Sequence, residues 1–281
     1  MSTLKFTKMH GIGNDFMVLD LVTQSWDPEP ERIARWGDRR TGVGFDQLLI
    51  VAPPTDPEAD FWYRIYNSDG SEAEQCGNGA RCVARFIHQN CLSPKATLNF
   101  QSNSGPMRTT LKEGSQVEVD MGLPVLDLDS VPFDATGLER NERGEYQLAC
   151  AEQVFALTPV SLGNPHGVLF IDNIGEAPVA EFGPLLTAHS AFPAQANIGF
   201  CQVVDESFLR LRVHERGAGE TRACGSGACA AMVAARLLGL VSDRVKVSLP
   251  GGKVKIAWDG VGTPVTMSGP AARVFDGEIS L

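Results

Sequence analysis

Glu74-Gln75-Cys76-Gly77-Asn78-Gly79-Ala80-Arg81-Cys82 is a stretch that this chain writes twice. About 148 residues later it reads Arg222-Ala223-Cys224-Gly225-Ser226-Gly227-Ala228-Cys229-Ala230. In both places a cysteine precedes Gly-x-Gly-Ala, and an apolar run without glycine or proline follows for roughly three turns. The pattern predicts a loop turning into a helix, over 78–90 in the first copy and 226–240 in the second, with a thiol at each helix mouth. A helix mouth presents unpaired N–H groups and a partial positive charge, which stabilise a thiolate and can bind a carboxylate. Two such mouths point to two thiols serving one site.

The repeat extends outward from these motifs. Gly13-Asn14-Asp15-Phe16-Met17-Val18-Leu19 aligns with Gly163-Asn164-Pro165-His166-Gly167-Val168-Leu169, and Asp46-Gln47-Leu48 aligns more weakly with Ala196-Asn197-Ile198. Arg64-Ile65-Tyr66-Asn67 aligns with Arg212-Val213-His214-Glu215. Three matches in order at nearly constant spacing make the chain a tandem of two similar halves. Each half carries short β-rich runs, one outer helix (28–39 and 179–189), the glycine-headed helix and a closing meander. In the first half these runs cover 4–9, 15–20, 47–52, 61–67, 96–101, 107–111 and 117–121. In the second they cover 146–160, 168–171, 198–204, 208–214, 245–249, 253–258 and 265–268.

Between Ser226 and Leu240 only Arg236 is charged, so this helix must be covered on all sides. Strands wrapped around it satisfy that demand. The expected fold class is α+β: two pseudo-symmetric lobes, each a curved mixed sheet or partial barrel about a central helix, facing each other across a cleft. The first lobe is expected to span 1–123 and the second 124–268.

Composition narrows the function. In 281 residues, 24 basic side chains against 34 acidic ones give a net charge of −10, which argues against nucleic-acid or anionic-membrane partners. The N-terminus has no apolar leader core, and no run approaches a membrane span, so a cytoplasmic location is expected. Seven cysteines without an export signal do not read as a disulfide framework. No Cys-x-x-Cys pair or finger-spaced histidine is present, so no metal site is expected. Gly11-Ile12-Gly13 lacks the third glycine of a dinucleotide fingerprint. Cys82, Cys91, Cys150, Cys201 and Cys229 read as small core side chains.

Equivalent loops of two facing halves would bring Cys76 and Cys224 to opposite sides of one substrate. Removing a proton from one face of a tetrahedral carbon and returning one to the other inverts it, with thiolate base and thiol acid exchanging roles in reverse. The developing enolate must be held as well. Backbone N–H groups of Gly77, Asn78, Gly225 and Ser226 are placed to grip the α-carboxylate.

Together, residues 72–82, Met9-His10-Gly11-Ile12-Gly13-Asn14-Asp15-Phe16, Gly163-Asn164-Pro165-His166, Glu215-Arg216-Gly217 and Cys224-Gly225-Ser226-Gly227 closely resemble the diaminopimelate epimerase family. The resemblance runs over nearly the whole chain. It implies an isomerase without cofactor that interconverts LL- and meso-diaminopimelate on the route to lysine and peptidoglycan. It implies Cys76 and Cys224 as the acid/base pair, and His166 and Glu215 as residues adjusting their protonation. Asn14, Gln47, Asn67, Asn164, Asn197, Glu215 and Arg216 line the substrate site by the same resemblance, with backbone contacts from Gly77, Asn78, Gly225 and Ser226. It further implies that the last strand, within 269–281, completes the first lobe. A homodimer is expected, with Phe275 where the family often has tyrosine near its dimer contact. The amides Asn67, Asn164 and Asn197 and the Arg216 fork suit the distal amino-acid end of a diamino diacid.

Two other readings compete. A proline racemase-like racemase or isomerase on the same fold would need neither the distal amides nor Arg216, and relatives that isomerise often lack one thiol. A non-catalytic redox sensor would join the two thiols in a disulfide. Glu72 and Glu220 read as acids that favour helix entry.

Overall fold

The computed structural model describes residues 3–73 and 76–281; Glu74 and Gln75, which open the first motif, lie outside them. The chain divides into two compact units, 1–120 with 268–281, and 121–267.

The first unit opens with β1 (Thr3–Gly11) and β2 (Asn14–Asp20), an antiparallel pair closed by Ile12 and Gly13. Both turn residues have positive φ, 48° and 89°, the two-residue turn that matches strand twist. For the β-branched Ile12, two residues before Asn14, this is a strained conformation. Helix α1 (Pro30–Gly37) is shorter than the sequence predicts. Pro30 forces Glu29 into extended backbone (φ −113°, ψ 112°), so the helix starts at the second proline and not at Pro28. Asp38 Oδ1 then accepts the N–H groups of Arg40 and Thr41 at 2.8 and 2.7 Å, an Asx turn that ends it. Strands β3 (Gln47–Ala52), β4 (Phe61–Asn67) and the two-residue β5 (Glu72–Ala73) lead to helix α2 (Gly77–Gln89). Strands β6 (Thr97–Gln101), β7 (Met107–Leu111) and β8 (Gln116–Asp120) form the meander.

Burial explains why α2 lies inside this sheet. Phe16 to Leu19 and Leu48 to Val51 are fully buried, so both faces of β2 and β3 are covered. Met17, Leu19, Leu48 and Ile50 pack with Ile33 and Trp36 of α1. The alternate residues face the other way, where Leu49 meets α2 at Gly79.

The second unit contains β9 (Tyr146–Cys150), β10 (Gln153–Ser161), β11 (Pro165–Phe170), α3 (Val179–Thr187), β12 (Asn197–Asp205), β13 (Phe208–Glu215), β14 (Gly219–Thr221), α4 (Gly225–Leu237), β15 (Arg244–Leu249) and β16 (Gly252–Ala257), with β17 (Thr266–Pro270) reaching its end. The run 146–160, expected as one strand, is a hairpin: Ala151 takes φ 53° and reverses the chain between β9 and β10. Helix α4 packs against β10, β11, β12, β13, β15 and β16, and Ala228 to Ala235 are all buried completely, as its uncharged sequence requires.

The duplication is visible in strand register. β2 runs parallel to β3 with Phe16 opposite Gln47, and β11 runs parallel to β12 with His166 opposite Asn197. Ile65 faces Ala73 as Val213 faces Thr221. Strand β18 (Ala272–Ser280) belongs to the first unit and pairs antiparallel with β1 from Thr3–Ser280 to His10–Ala272. Among the described residues, no helix is long and apolar enough to cross a membrane.

Candidate active site

Each cysteine is the N-cap of its helix, which begins one residue earlier than the sequence predicts, at Gly77 and Gly225. Cys76 has extended backbone (φ −146°, ψ 103°) and its Sγ accepts the Gly79 N–H at 3.3 Å. Cys224 (φ −104°, ψ 106°) does the same, its Sγ accepting the Gly227 N–H at 3.4 Å. Sulfur thus takes the part that a serine or aspartate oxygen ordinarily plays at a helix N-terminus. A Cβ at Gly79 would collide with the Tyr63 hydroxyl, which donates to the Cys76 carbonyl at 3.2 Å, so only glycine lets β4 underlie the helix mouth.

In the first unit the structure gathers Asn14, Gln47, Asn67, Cys76, Gly77 and Asn78. Asn14 opens β2, Gln47 opens β3 and Asn67 closes the antiparallel β4, so all three lie at one end of the sheet. Gln47 Nε2 donates to Asn67 Oδ1 at 3.1 Å, while Gln47 Oε1 is buried with no partner among the described residues. Asn67 Nδ2 donates to Ser71 Oγ at 3.1 Å. Cys76 Sγ lies 3.7 Å from Asn14 Oδ1, which also accepts Asn78 Nδ2 at 3.3 Å.

In the second unit Asn164, His166, Asn197, Glu215, Arg216, Cys224, Gly225 and Ser226 come together. His166 is buried, with Nε2 3.1 Å from both Asn164 Oδ1 and Ser226 Oγ, and 3.5 Å from Asn197 Nδ2. Asn197 Oδ1 accepts the Arg216 backbone N–H at 2.8 Å, and Arg216 Nη1 donates to the Ala194 carbonyl at 2.8 Å. Ser226 Oγ lies 3.7 Å from Cys224 Sγ, and Thr221 donates a short hydrogen bond to Glu215.

Electrostatics separate the residues by role. Burial, aided by the Arg216 charge, pulls His166 down to about 3, so it stays neutral at physiological pH and serves as a hydrogen-bonding hub. Burial and the adjacent Glu215 push the Cys224 thiol well above its usual value, against the opposing pull of the Gly227 N–H and Ser226. The sequence leads one to expect the helix mouth to lower both thiols; for Cys224, desolvation and a neighbouring carboxylate outweigh it. Asp15, beside Asn14, is held at about 2: burial opposes its ionisation, but hydrogen bonds from Arg39 and Lys8 win.

Sequence reasoning missed two residues around Asn14. Asp46 Oδ2 accepts Asn14 Nδ2 at 2.8 Å, and the fully buried Arg81 donates to Asn78 Oδ1 at 2.8 Å. An arginine inside an otherwise covered helix was the available signal for the second. Among the described residues no group of three or more His, Cys, Asp or Glu side chains is arranged to hold a metal ion.

A thiol capping a helix, flanked by amides and backbone donors, can exchange a proton with carbon while gripping a carboxylate. Comparison with known proteins points the same way. The profile of the diaminopimelate epimerase family matches residues 6–126 and 158–274. Diaminopimelate epimerases from Ectopseudomonas mendocina (strain ymp) and Stutzerimonas stutzeri (strain A1501) are each 52% identical over 278 residues, covering 99% of this chain and 99% of theirs. Among solved structures, a hydroxyproline epimerase from Agrobacterium vitis, with bound trans-4-hydroxy-L-proline, superposes with a TM-score of 0.73 at 13% identity, covering 99% of this chain and 93% of its own. A Bacillus anthracis protein of the PhzF phenazine biosynthesis family gives 0.69 at 16% identity over the full length of both. At such identities these structures share the fold alone.

Proposed function

The chain belongs to the diaminopimelate epimerase family, and from that membership we propose that it interconverts LL- and meso-diaminopimelate by proton transfer between the α-carbon and two cysteines. One observation carries the mechanism: the motif that caps a helix with a thiol occurs twice, with the same Sγ to backbone N–H bond in each copy.

In this reading one thiolate takes the α-proton, and the electron pair left on carbon spreads into the carboxylate as an enediolate. The other thiol returns a proton to the opposite face, and the two sulfurs end with their protonation states exchanged. The chemistry requires both sulfurs to reach one α-carbon from opposite sides. N–H groups of Gly77, Asn78, Gly225 and Ser226 stabilise the enediolate. The open acceptor Gln47 Oε1 suits an ammonium, while Asn67, Asn164, Asn197 and Arg216 read the distal amino-acid end. Glu215 tunes Cys224, and neutral His166, donating from Nε2 to Asn164 Oδ1 and Ser226 Oγ, holds those two in place beside Asn197. A site fitted to both ends of the substrate rejects proline, whose lack of a distal end leaves those groups unpaired.

The same reading takes the enzyme to be cytoplasmic, where thiols stay reduced. It also takes the enzyme to be a homodimer through β18, where Val274 and Phe275 are 55% and 48% exposed. The decisive experiment incubates pure protein with LL-diaminopimelate in deuterated water. Deuterium is expected at the inverted α-carbon, and Cys76→Ala and Cys224→Ala each lose roughly a thousandfold or more in turnover. Normal turnover by either variant would rule out the two-thiol scheme.

A further inference from the structure

Asparagine is nearly symmetric in shape, so which end of its amide faces a neighbour is decided by its other partners. Around Asn14 those partners leave no choice. Asp46 can only accept, and its Oδ2 takes Asn14 Nδ2 at 2.8 Å. Arg81 can only donate, and its Nη2 takes Asn78 Oδ1 at 2.8 Å, turning Asn78 Nδ2 outward to Asn14 Oδ1 at 3.3 Å. A donor-only group at one end and an acceptor-only group at the other thus polarise the whole row from Arg81 through Asn78 and Asn14 to Asp46. The Asn14 oxygen that results lies 3.7 Å from the Cys76 sulfur.

We propose that Asp46 is a positioning residue for Asn14, fixing its amide so that an acceptor faces Cys76, with Arg81 setting the same direction from inside the helix. An acceptor there receives the S–H bond of a thiol; the flipped amide would offer N–H and favour a thiolate. Asp46 is itself held in place. Arg39 Nη2 bonds its Oδ1 at 2.6 Å, and the Asp15 N–H reaches its Oδ2 at 3.1 Å. Lys8 pairs with Asp15 at 2.5 Å and also reaches the Gly44 carbonyl, closing the frame. Among the described residues, the charged and titratable groups of this frame are Lys8 of β1, Asp15 of β2, Arg39 and Asp46 of the loop between α1 and β3, Tyr63 of β4, and Arg81 and Cys82 of α2, with Tyr63 and Cys82 interacting with Cys76 itself.

The second half lacks this device. Ala196 and Cys229 stand at the positions equivalent to Asp46 and Arg81, and His166 joins Asn164 to Ser226 instead. The orienting row therefore belongs to one thiol only.

The kinetic part of this inference rests on the proposed epimerase activity; the chemical part does not. The test measures the pH dependence of iodoacetamide alkylation at Cys76 by peptide mapping, alongside kcat and KM. Five proteins are compared: the wild type, Asp46→Ala, Asp46→Asn, Asn14→Ala and the double variant Asp46→Ala/Asn14→Ala. Asp46→Ala is expected to lower the alkylation midpoint by about half a unit and to lower kcat by about tenfold. On the Asn14→Ala background the same change is expected to shift neither by more than roughly twofold, because the two residues act as one. Asp46→Asn, which keeps an acceptor, should restore most of kcat, and it decides the matter if the alanine variant does not fold. A midpoint shift that survives on the Asn14→Ala background, additive losses in kcat, or no rescue by asparagine would each overturn the proposal. If no variant and no wild type turned over diaminopimelate, the alkylation arm would still decide the orientation of Asn14.

Discussion

The Glu215 carboxylate and the Cys224 thiol face each other in the second unit, and burial first, with that carboxylate second, holds the thiol protonated well above its ordinary range. Cys224 is 3% exposed, whereas Cys76 is half-buried. Of the two motif thiols, Cys76 should therefore be alkylated first; Cys91, read from the sequence as a core side chain, is exposed and is followed separately by peptide mapping. Glu215→Gln removes the carboxylate but leaves the burial, so the midpoint for Cys224 labelling should fall part of the way toward the ordinary thiol range, read by mass spectrometry across a pH series. An unchanged midpoint would assign the whole effect to desolvation.

Stability should be greatest on a plateau from about pH 6.5 to 9. On the acid side, His166 has a folded value of about 3 against an ordinary 6.5, and Asp15 about 2 against 3.8. Both are depressed, so the unfolded chain binds more protons and stability falls as pH drops through those windows. On the alkaline side, burial lifts Cys82 to about 12 from 9.0 and also raises Cys201 and Cys224. The folded state keeps those protons longer, so its advantage shrinks as pH rises past 9. Urea midpoints across pH measure both limbs, and His166→Gln should flatten the one between 6.5 and 3.

Gly79→Ala should destabilise the protein by about 1–3 kcal/mol, since the added methyl meets the Tyr63 hydroxyl and Leu49. Tyr63→Phe removes that oxygen and should recover part of the loss in the double variant. Thermal unfolding of the single and double variants checks the coupling, and additive losses would mean that the two side chains do not meet.

Phe275 packs edge-on against Phe6 with centroids 6.0 Å apart while leaving half its surface outside. Phe275→Asp should convert the proposed dimer to monomer in sedimentation velocity without unfolding it. A wild-type protein that sediments as a monomer would remove the dimer from the reading.

What could be read in the sequence was whatever its local pattern encodes. The tandem halves, the two capped helices and the strand-end positions of Asn14, Gln47, Asn67, Asn197 and Glu215 follow from spacing and periodicity. The β9–β10 hairpin was hidden because Cys150-Ala151-Glu152 carries no turn residue, and Ala151 takes its left-handed conformation under the demand of strand pairing. Strand β18 came only from the family resemblance and not from pattern: most of its residues are exposed, so no apolar alternation marks it. The state of Cys224 depends on how deeply the fold buries it and on a carboxylate from another strand, neither of which is a local property. Asp46 is in the same position, since only folding brings it to Asn14.

Pairing of β1 with β18 joins residue 3 to residue 280. As the polypeptide leaves the ribosome, β1 therefore keeps a bare edge throughout synthesis of the entire second unit. Nascent protein is exposed to mispairing for that whole interval, and the first half becomes a finished object only once residues 272–280 have been made.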